Sequence, residues 1–369
     1  MGAPLSIAFF ASSLVSAYWN GAATYYRGMV RALHRLGHRI TFYEPDAYER
    51  QAHRDMEDPD WATVVVYPAT HSGVMRSLQG AKGSDLVIKA SGVGVFDELL
   101  EREVLQLKGE GTQVVFWDVD APATLERIGN DPQDPFRRLI PRYDLILTYG
   151  GGDPIVRAYG SFGARSCIPI YNALDPDTHY PVHPEPRLQA DLSFLGNRLP
   201  DRESRVDEFF LSVAKRMPDR KFLLAGSGWD DKPLSGNVGY LGHLGTHDHN
   251  AFNCSPLAIL NVSRDGMARN GFSPATRVFE AAGAGACMIT DSWDGVERFF
   301  EPEREIYVAG SGEEVAEILD RLTPSLAAAV GSRALTRVRA QHTYAHRARQ
   351  FAEIFSARGA GRAAIGGAL

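Results

Sequence analysis

The sequence has few cysteines and lacks the motifs typical of a nicotinamide or ATP site. Its three cysteines, Cys167, Cys254 and Cys287, lie far apart, each in or near an apolar run. This spacing offers no metal site and predicts reduced, buried thiols. No G-x-G-x-x-G turn or Walker A sequence follows a predicted strand. Their absence weighs against a dehydrogenase or an ATP-dependent enzyme.

The chain also lacks an excess of positive charge and any long apolar run. It has 39 Lys and Arg against 45 Asp and Glu, a net charge of −6, which argues against a broad nucleic-acid surface. No apolar run reaches the length of a transmembrane segment. Residues 7–19 are apolar, but the first basic residue is Arg27, so we predict a buried strand and no signal peptide. We expect a cytoplasmic protein.

What is present is the pattern of two α/β domains. A chain of 369 residues, with 44% hydrophobic and 23% charged residues, is too long for one simple core. Repeated strand–helix units predict doubly wound parallel sheets. We predict strands at residues 5–10, 39–43, 63–66, 85–89, 113–117, 144–147, 166–170, 191–195, 221–225, 238–241, 257–262, 286–290 and 305–308. We predict helices at residues 22–36, 96–107, 203–216, 274–282, 313–322 and 343–357.

A proline-rich stretch separates the two series. Five prolines fall between residues 169 and 186, a texture typical of an interdomain linker. We predict an N-terminal domain at 1–172, a linker at 173–189, a C-terminal domain at 190–340, a closing helix at 341–358 and a flexible tail at 359–369.

The most informative segment is residues 271–290, which predicts a loop, a helix and a buried strand. Ser273 suits a helix N-cap and Pro274 suits the first helical position. The N–H groups at such a helix N-terminus bind anions. Arg277 could grip a phosphate, and Glu280 could accept hydrogen bonds from a ribose diol. These residues fit a nucleoside-diphosphate site or an ordinary helix with a surface salt bridge, and alone they do not decide between the two.

Six segments in order along the chain carry a family resemblance. They are Tyr-Trp-Asn-Gly at 18–21, Asp-Leu-Val-Ile-Lys-Ala-Ser-Gly at 85–92, Phe-Trp-Asp-Val-Asp-Ala-Pro at 116–122, Asp-Leu-Ser-Phe-Leu-Gly-Asn at 191–197, residues 273–285, and His-Thr-Tyr-Ala-His-Arg at 342–347. Their order and spacing resemble GT-B glycosyltransferases of the group-1 or family-4 type, and most closely the CgeB-like (spore maturation) glycosyltransferases. The resemblance implies two Rossmann-like domains that face a cleft, with a C-terminal helix that crosses back.

The resemblance assigns the donor site to the C-terminal domain. Gly-Asn-Arg-Leu-Pro-Asp-Arg at 196–202 resembles the family loop that grips the diphosphate, with Arg198 at the arginine and Arg202 in place of the lysine. Glu280 matches the second Glu of the family's Glu-x7-Glu motif, which holds the ribose. The first Glu is absent, since its position falls on Phe272 or, with an insertion, on Asn270. This departure leaves the contacts to the sugar ring, and retaining stereochemistry, in doubt.

Further donor contacts are expected around that loop and helix. The Thr276 hydroxyl and Arg277 could hold the diphosphate and compensate for the missing Glu. Trp229 and His243 lie where the base could stack or hydrogen-bond, although Trp229 fits plain packing equally well. In the first domain, Gly21 could let backbone N–H groups approach the diphosphate or the transferred sugar.

The first domain is expected to bind the acceptor. Asp118 and Asp120 flank the end of a buried strand, and either could be the general base of an inverting transfer. Asp120 could equally be a turn or helix cap. His71 is a further candidate base, and Lys89 could contact a phosphate or pair with Asp97.

These expectations together describe a metal-independent glycosyltransferase of the hexosyltransferase type (EC 2.4). It would need no cofactor and would use a nucleotide-diphosphate sugar as co-substrate in the interdomain cleft. The acceptor could be a glycan, a lipid-linked compound, a protein or a small molecule. The Asp-x-Asp spacing at 118–120 lies in the wrong domain for a GT-A metal site. A sugar-nucleotide epimerase of the same fold and a catalytically silent binding protein remain alternatives.

Overall fold

The structure is a computed structural model that describes residues 3–366 of the chain. It divides into two compact units. In the described range, unit 1 comprises residues 3–171 and 344–366, and unit 2 comprises residues 172–343. The stretch predicted as a linker, 173–189, therefore belongs to unit 2. Within the described range, no helix has both the length and the apolar character needed to cross a membrane.

Unit 1 is a seven-stranded, fully parallel sheet with the strand order β3-β2-β1-β4-β5-β6-β7. Phe9 of β1 is in register with Phe42 of β2 and Ile88 of β4. Strands β1 to β7 are Ser6–Phe10, Arg39–Asp46, Thr63–Pro68, Leu86–Ala90, Gln113–Asp118, Leu145–Thr148 and Cys167–Pro169. Helices α1 to α6 are Ala23–Arg35, His71–Gly80, Asp97–Glu103, Ala121–Asn130, Phe136–Leu139 and Gly152–Ser161.

Unit 2 is a six-stranded parallel sheet with the order β10-β9-β8-β11-β12-β13. Strands β8 to β13 are Leu192–Leu195, Phe222–Ala225, Val238–Tyr240, Ala258–Asn261, Met288–Asp291 and Tyr307–Ala309. Helices α7 to α13 are Glu203–Val206, Ser212–Arg216, His249–Cys254, Asp265–Asn270, Thr276–Gly283, Gly312–Arg321 and Pro324–Gln341. A π-helical segment, Asp207–Leu211, joins α7 to α8, so the predicted helix at 203–216 is continuous. Short 3-10 turns occur at Val104–Leu107, Ile140–Arg142, Pro186–Leu188, Thr246–Asp248 and Val296–Arg298.

Local sequence explains the helix ends. Helix α1 stops at Arg35, and Gly37 takes a left-handed φ of 93° that favours glycine. Its N–H donates to the carbonyl of His34 over 2.8 Å. Helix α12 begins after Ser311, whose hydroxyl accepts from the N–H of Glu314 over 3.3 Å.

The last helix returns to unit 1. Helix α14, Tyr344–Gly366, packs against α1, where a Cβ on Gly28 would lie 2.2 Å from the Tyr344 ring. Glycine is therefore required at residue 28 for this close approach. Residues 359–366, which we predict to be a flexible tail, continue the helix, and residues 367–369 lie outside the described part of the chain.

The three thiols are free, as predicted. Cys287 is buried, whereas Cys167 and Cys254 are half-buried. Burial raises the pKa of Cys167 and of Cys287 to about 12, so both are protonated at neutral pH.

Candidate functional site

The loops after β8 and β11 lie at the point where the strand order of unit 2 changes direction. Strands β8, β9 and β10 follow one another towards one edge of the sheet, and strands β11, β12 and β13 follow one another towards the other edge. In open parallel sheets, ligands bind at the carboxyl ends of strands at such a switch point. Residues 196–202 follow β8, and residues 262–275 connect β11 to α11. The predicted donor segments therefore flank the position where the topology favours a ligand.

Helix α11 presents an N-terminus without a side-chain cap. It begins at Thr276, and its N-cap is Ala275, which supplies no side-chain hydrogen bond. The prediction that Ser273 caps this helix is wrong, because two further residues stay extended before the helix starts. The buried Ser273 hydroxyl instead has no hydrogen-bond partner in the part of the chain that the structure describes. The helix can therefore offer its first N–H groups to an anion.

Arg277 is a half-buried residue in the first turn of α11. Its Nη1 atom is buried and lacks a hydrogen-bond partner among the described residues. Burial lowers the pKa of this guanidinium, and the negative charge of Glu280 raises it. A buried guanidinium donor without a partner costs free energy that an anionic ligand would recover.

Arg202, at the end of the loop after β8, adds a second cation. Its Nη2 donates to the carbonyl of Asn197 over 2.5 Å, while its buried Nε has no partner within the described chain. Burial, then the charge of Arg277, then that of Arg264 lower the pKa of Arg202 to about 10, against the opposing charge of Asp201. Mutual repulsion of guanidinium groups shows that positive charge is concentrated at this edge of the sheet.

Arg198, which the resemblance places on the diphosphate, is already engaged by carboxylates. Its Nη1 donates to Asp231 and its Nη2 to Glu203, both over 2.7 Å. These pairs tie the loop after β8 to the loop after β9 and to the start of α7. The structure thus gives Arg198 a loop-bridging position, whereas Arg202 and Arg277 keep unused donors.

The two residues expected near the base differ in exposure. Trp229 is buried, packs edge-on against Phe194 and donates from Nε1 to the carbonyl of Gly196 over 2.8 Å. Its ring is therefore part of the core, which supports plain packing over base stacking. His243 is exposed in the loop after β10.

Glu280 lies in a cluster with two histidines that sequence reasoning missed. One ligand atom each from His179, His249 and Glu280 lie within 4.8 Å of one another, and His179 Nε2 is 3.8 Å from Glu280 Oε1. Although burial raises the pKa of Glu280, the charges of His179 and Arg277 outweigh it and lower that pKa. The carboxylate is therefore ionised at neutral pH.

The cluster could hold a divalent transition metal by residue type, but its charge balance disfavours one. Two imidazoles and a carboxylate are zinc ligands. Burial lowers the pKa of His249, and the nearby positive charge of Arg277 lowers it further against the opposing charge of Glu280. A metal ion there would face an adjacent guanidinium, so we assign the cluster to orienting the Glu280 carboxylate.

Neither of the two positions aligned with the missing first Glu of the Glu-x7-Glu motif carries a carboxylate, since they are Phe272 and Asn270. Phe272 takes a left-handed φ of 47°, and Arg298 lies over its ring at 5.2 Å. The Asn270 amide donates to the carbonyl of Gly266 over 2.7 Å. Arg298 belongs to the turn Val296–Arg298, and the Asn270 hydrogen bond lies within α10, so both side chains have contacts of their own.

In unit 1, the Asp118 carboxylate is held inside the fold by hydrogen bonds. It is fully buried and accepts from the Tyr159 hydroxyl over 2.5 Å, from Thr124 Oγ1 over 3.0 Å and from the N–H of Asp120 over 3.1 Å. Burial raises its pKa in spite of these hydrogen bonds. A buried carboxylate with all these donors has little access to an acceptor hydroxyl, which corrects its assignment as a candidate base.

The other unit 1 candidates lie at the carboxyl edge of the sheet. Asp120 is the half-buried N-cap residue of α4 and forms no side-chain cap hydrogen bond. His71 is exposed at the start of α2. At Gly21 a Cβ would meet no atom within 4 Å, so the fold itself does not require glycine there. Lys89 is buried and pairs with Asp97 over 2.5 Å, the salt bridge that we gave as an alternative to phosphate contact.

Comparison with known proteins gives a family match over part of the chain. Residues 202–353 match the family described as "Glycosyl transferase-like". This range contains Arg202, Ser273, Arg277 and Glu280. A search of curated proteins gave no match.

Solved structures show the fold. Sucrose-phosphate synthase from Thermosynechococcus elongatus superposes with a TM-score of 0.70 at 13% identity, covering 97% of this chain and 100% of that one. HepE of Anabaena in complex with UDP-glucose gives 0.62 at 14% identity, covering 96% and 100%. An α-glucosyltransferase in complex with UDP-glucose and DNA gives 0.69 at 12% identity, covering 95% and 99%. The predicted GT-B fold of two Rossmann-like parallel-sheet domains is confirmed.

Proposed function

We propose that the protein is a glycosyltransferase that moves a sugar from a nucleotide-diphosphate sugar to an acceptor hydroxyl. The observation that carries the proposal is the group of unused buried donors at the carboxyl edge of unit 2. Ser273 Oγ, Arg277 Nη1 and Arg202 Nε each lack a partner among the described residues. They lie on the two segments at the switch point, beside an uncapped helix N-terminus. A diphosphate carries the acceptor oxygens that these donors lack.

The same groups supply what the chemistry requires. When the glycosidic bond to the donor phosphate breaks, negative charge develops on the departing diphosphate. Arg277, Arg202 and the N-terminus of α11 are fixed positive groups that would stabilise this charge without rearranging. Because guanidinium groups provide the compensation, we propose that transfer needs no metal ion and no cofactor.

Glu280 would select the nucleoside part of the donor. It follows Arg277 by three residues on the same helix, so both side chains share one face. Its ionised carboxylate can accept two hydrogen bonds from a ribose diol, and the neighbouring His179 and His249 hold it in place. HepE binds UDP-glucose, which makes UDP-sugars the first donors to test.

Two finer parts of the proposal rest on motif resemblance. One is membership of the CgeB-like subgroup, and the other is hexosyl transfer. A cytoplasmic location is also proposed, because three free thiols suit a reducing compartment.

Calorimetric titration with UDP, GDP, TDP and ADP, each with and without Mg²⁺, tests the donor assignment. We expect one diphosphate to bind independently of magnesium, and the corresponding UDP-, GDP-, TDP- or ADP-sugar to release that diphosphate. Release of diphosphate supports a transferase. Conversion of the sugar without release would indicate an epimerase, and binding without either would indicate a silent binding protein. If none of the four diphosphates binds, the site assignment is wrong.

A further inference from the structure

Three neighbouring loops of unit 1 carry large aromatic residues in the left-handed backbone region. Trp19 has a φ of 47°, Tyr48 of 57° and Phe96 of 55°. Their relative exposures are 79%, 53% and 38%. The loops follow β1, β2 and β4, which are adjacent in the order β2-β1-β4. All three therefore lie at the carboxyl edge of the same sheet.

Direct contacts join these loops into one surface. Arg50 donates from Nη2 to the carbonyl of Trp19 over 3.3 Å, and its guanidinium lies 5.0 Å from the centre of the Tyr48 ring. The Tyr48 hydroxyl donates to the carbonyl of Gly94 over 2.6 Å, two residues before Phe96. Tyr18 is 38% exposed, and its ring stacks on that of His53 with the ring centres 4.1 Å apart. We call the four residues Tyr18, Trp19, Tyr48 and Phe96 the aromatic edge.

The backbone of the aromatic edge is strained at three positions. A positive φ is unusual for a bulky residue and costs about 1–3 kcal/mol at each position. Contacts with Gly94 and Arg50 hold the Tyr48 ring, whereas Trp19, which is 79% exposed, recovers little through burial. Such strain tends to cluster at ligand-binding sites, where it preorganises side chains. Three strained and exposed aromatic residues on three contacting loops therefore indicate a binding surface.

We propose that the aromatic edge binds the acceptor substrate, and that this acceptor is a saccharide whose pyranose faces stack on the rings. The acceptor role rests on the proposed transferase function. Asp120 follows β5, the neighbour of β4, so the candidate base lies at the same sheet edge.

The chemistry of the surface favours a saccharide over a lipid or an anionic partner. The rings alternate with hydrogen-bonding side chains: Glu49 is exposed, and Arg50 and His53 contact the rings. A lipid tail needs a continuous apolar groove, and this surface is interrupted by charge. An anionic partner needs accessible positive charge, but Arg50 is buried and Glu49 is exposed. Flat C–H faces flanked by hydroxyl groups match ring faces flanked by polar groups.

Fluorescence quenching by acrylamide tests this directly, because it reports mainly on Trp19. Trp61, Trp117, Trp229 and Trp293, the other four of five tryptophans, are buried. The probes are the neutral disaccharides maltose, cellobiose and diacetylchitobiose, titrated against the full chain. We expect at least one of them to protect the exposed tryptophan. No protection by any disaccharide, or protection only by phosphatidylcholine vesicles, would overturn the proposal.

Variants locate the binding by calorimetry with the protecting disaccharide. Trp19→Ala should weaken affinity about 2- to 10-fold, whereas Trp19→Phe, which keeps a ring, should lose less. Met75→Ala is the control, since Met75 is an exposed apolar residue of unit 1 that lies on α2, outside the aromatic edge. Equal losses for Trp19→Ala and Met75→Ala would contradict the assignment.

A glycine variant separates binding from folding. Trp19→Gly relieves the left-handed backbone and removes little buried surface, so its melting temperature should not fall. Its disaccharide affinity should drop as in Trp19→Ala. A retained affinity would show that the ring is not used.

The two proposals fail in different ways. Lost disaccharide protection with intact diphosphate binding would refute the aromatic edge and leave the transferase assignment standing. Protection by a disaccharide without any diphosphate binding would refute the transferase and show a saccharide-binding surface alone.

Discussion

The two sheets share one topology and differ in the chemistry of the same edge. Both run outward from their first strand in the same order, as β3-β2-β1-β4-β5-β6 and β10-β9-β8-β11-β12-β13. At the carboxyl edge of unit 2, Arg202 and Arg277 keep buried donors without partners among the described residues. At the carboxyl edge of unit 1, the buried cation Lys89 is neutralised by Asp97, and exposed aromatic rings prevail.

This difference indicates that the loops, and not the sheets, determine which kind of ligand suits each unit. A shared strand order provides two equivalent edges, and function follows from the side chains placed there. Cations suit a diphosphate, and ring faces suit a saccharide. We expect unit 2 to bind the donor and unit 1 to bind the acceptor. A variant at the edge of one unit that changes the affinity for the ligand of the other unit would contradict this expectation.

The largest effect is expected from Asp120→Asn. Loss of a general base lowers turnover about 100-fold or more, while diphosphate affinity should stay unchanged because Asp120 belongs to unit 1. Release of nucleoside diphosphate and calorimetry measure the two quantities. Asp131→Asn, at the exposed end of the same helix α4, is the control. Unchanged turnover would remove Asp120 as the base, and weakened diphosphate binding would break the division between the units.

Arg277→Ala should produce the next largest effect, on donor affinity. Removing a charged hydrogen-bond donor from a buried site costs about 1.5–3 kcal/mol, or about 10- to 100-fold in affinity. Titration with the diphosphate that binds the wild type measures it. Arg216→Ala, which removes an exposed arginine paired with Glu313 in the same unit, controls for net charge. Equal affinities in the two variants would disprove the diphosphate site.

Much of the fold can be read from the sequence, because buried strands and amphipathic helices leave strong patterns. All 13 predicted strands occur, with ends shifted by up to three residues. Seven helices observed in the described part of the chain are absent from the predicted set, and the longest of them is α13; the others are α2, α4, α5, α6, α9 and α10. The buried face of α13 consists of Ala327, Val330, Gly331, Ala334 and Val338. Because most of these residues are small, the buried face differs little in hydrophobicity from the exposed face. Gly331 allows α13 to lie close to the turn after α11, since a Cβ at residue 331 would lie 2.0 Å from the carbonyl oxygen of Gly285.

The candidate site is only partly readable, because resemblance gives positions and not orientations. Arg277 and Glu280 share a helix turn, so local spacing predicts their common face. Trp229 aligns near the base, yet its side chain turns into the core. His179 and His249 lie far apart in the sequence, and only the fold brings them to Glu280. No local signal marks a lone histidine as a member of such a cluster.

A pH dependence is expected in unit 2 from His249. Burial, with help from Arg277 and His179 and against Glu280, lowers its pKa from 6.5 to about 4. Between these values the unfolded chain binds a proton that the folded chain excludes, so stability decreases as pH falls from about 6.5 to 4. We expect a loss of up to about 2 kcal/mol, allowing for partial exposure.

Urea unfolding of wild type and His249→Gln at pH 7 and pH 4.5 isolates this contribution from that of the carboxylates. The variant should lose less stability than the wild type over this interval. Equal losses would show that His249 is solvated when folded, and it would then not belong to the cluster around Glu280.

The smallest effect is expected from Arg198→Ala, and it sharpens the comparison from within unit 2. Since the Arg198 guanidinium is already held by Asp231 and Glu203, its removal should change diphosphate affinity by less than about threefold. Titration alongside Arg277→Ala tests this, because both variants remove one arginine from the same unit and the same sheet edge. A loss from Arg198→Ala as large as that from Arg277→Ala would mean that the carboxylates release Arg198 to the ligand. The cationic edge would then be assembled by donor binding, whereas equal affinity of Arg198→Ala and wild type would mean that it is already formed in the free protein.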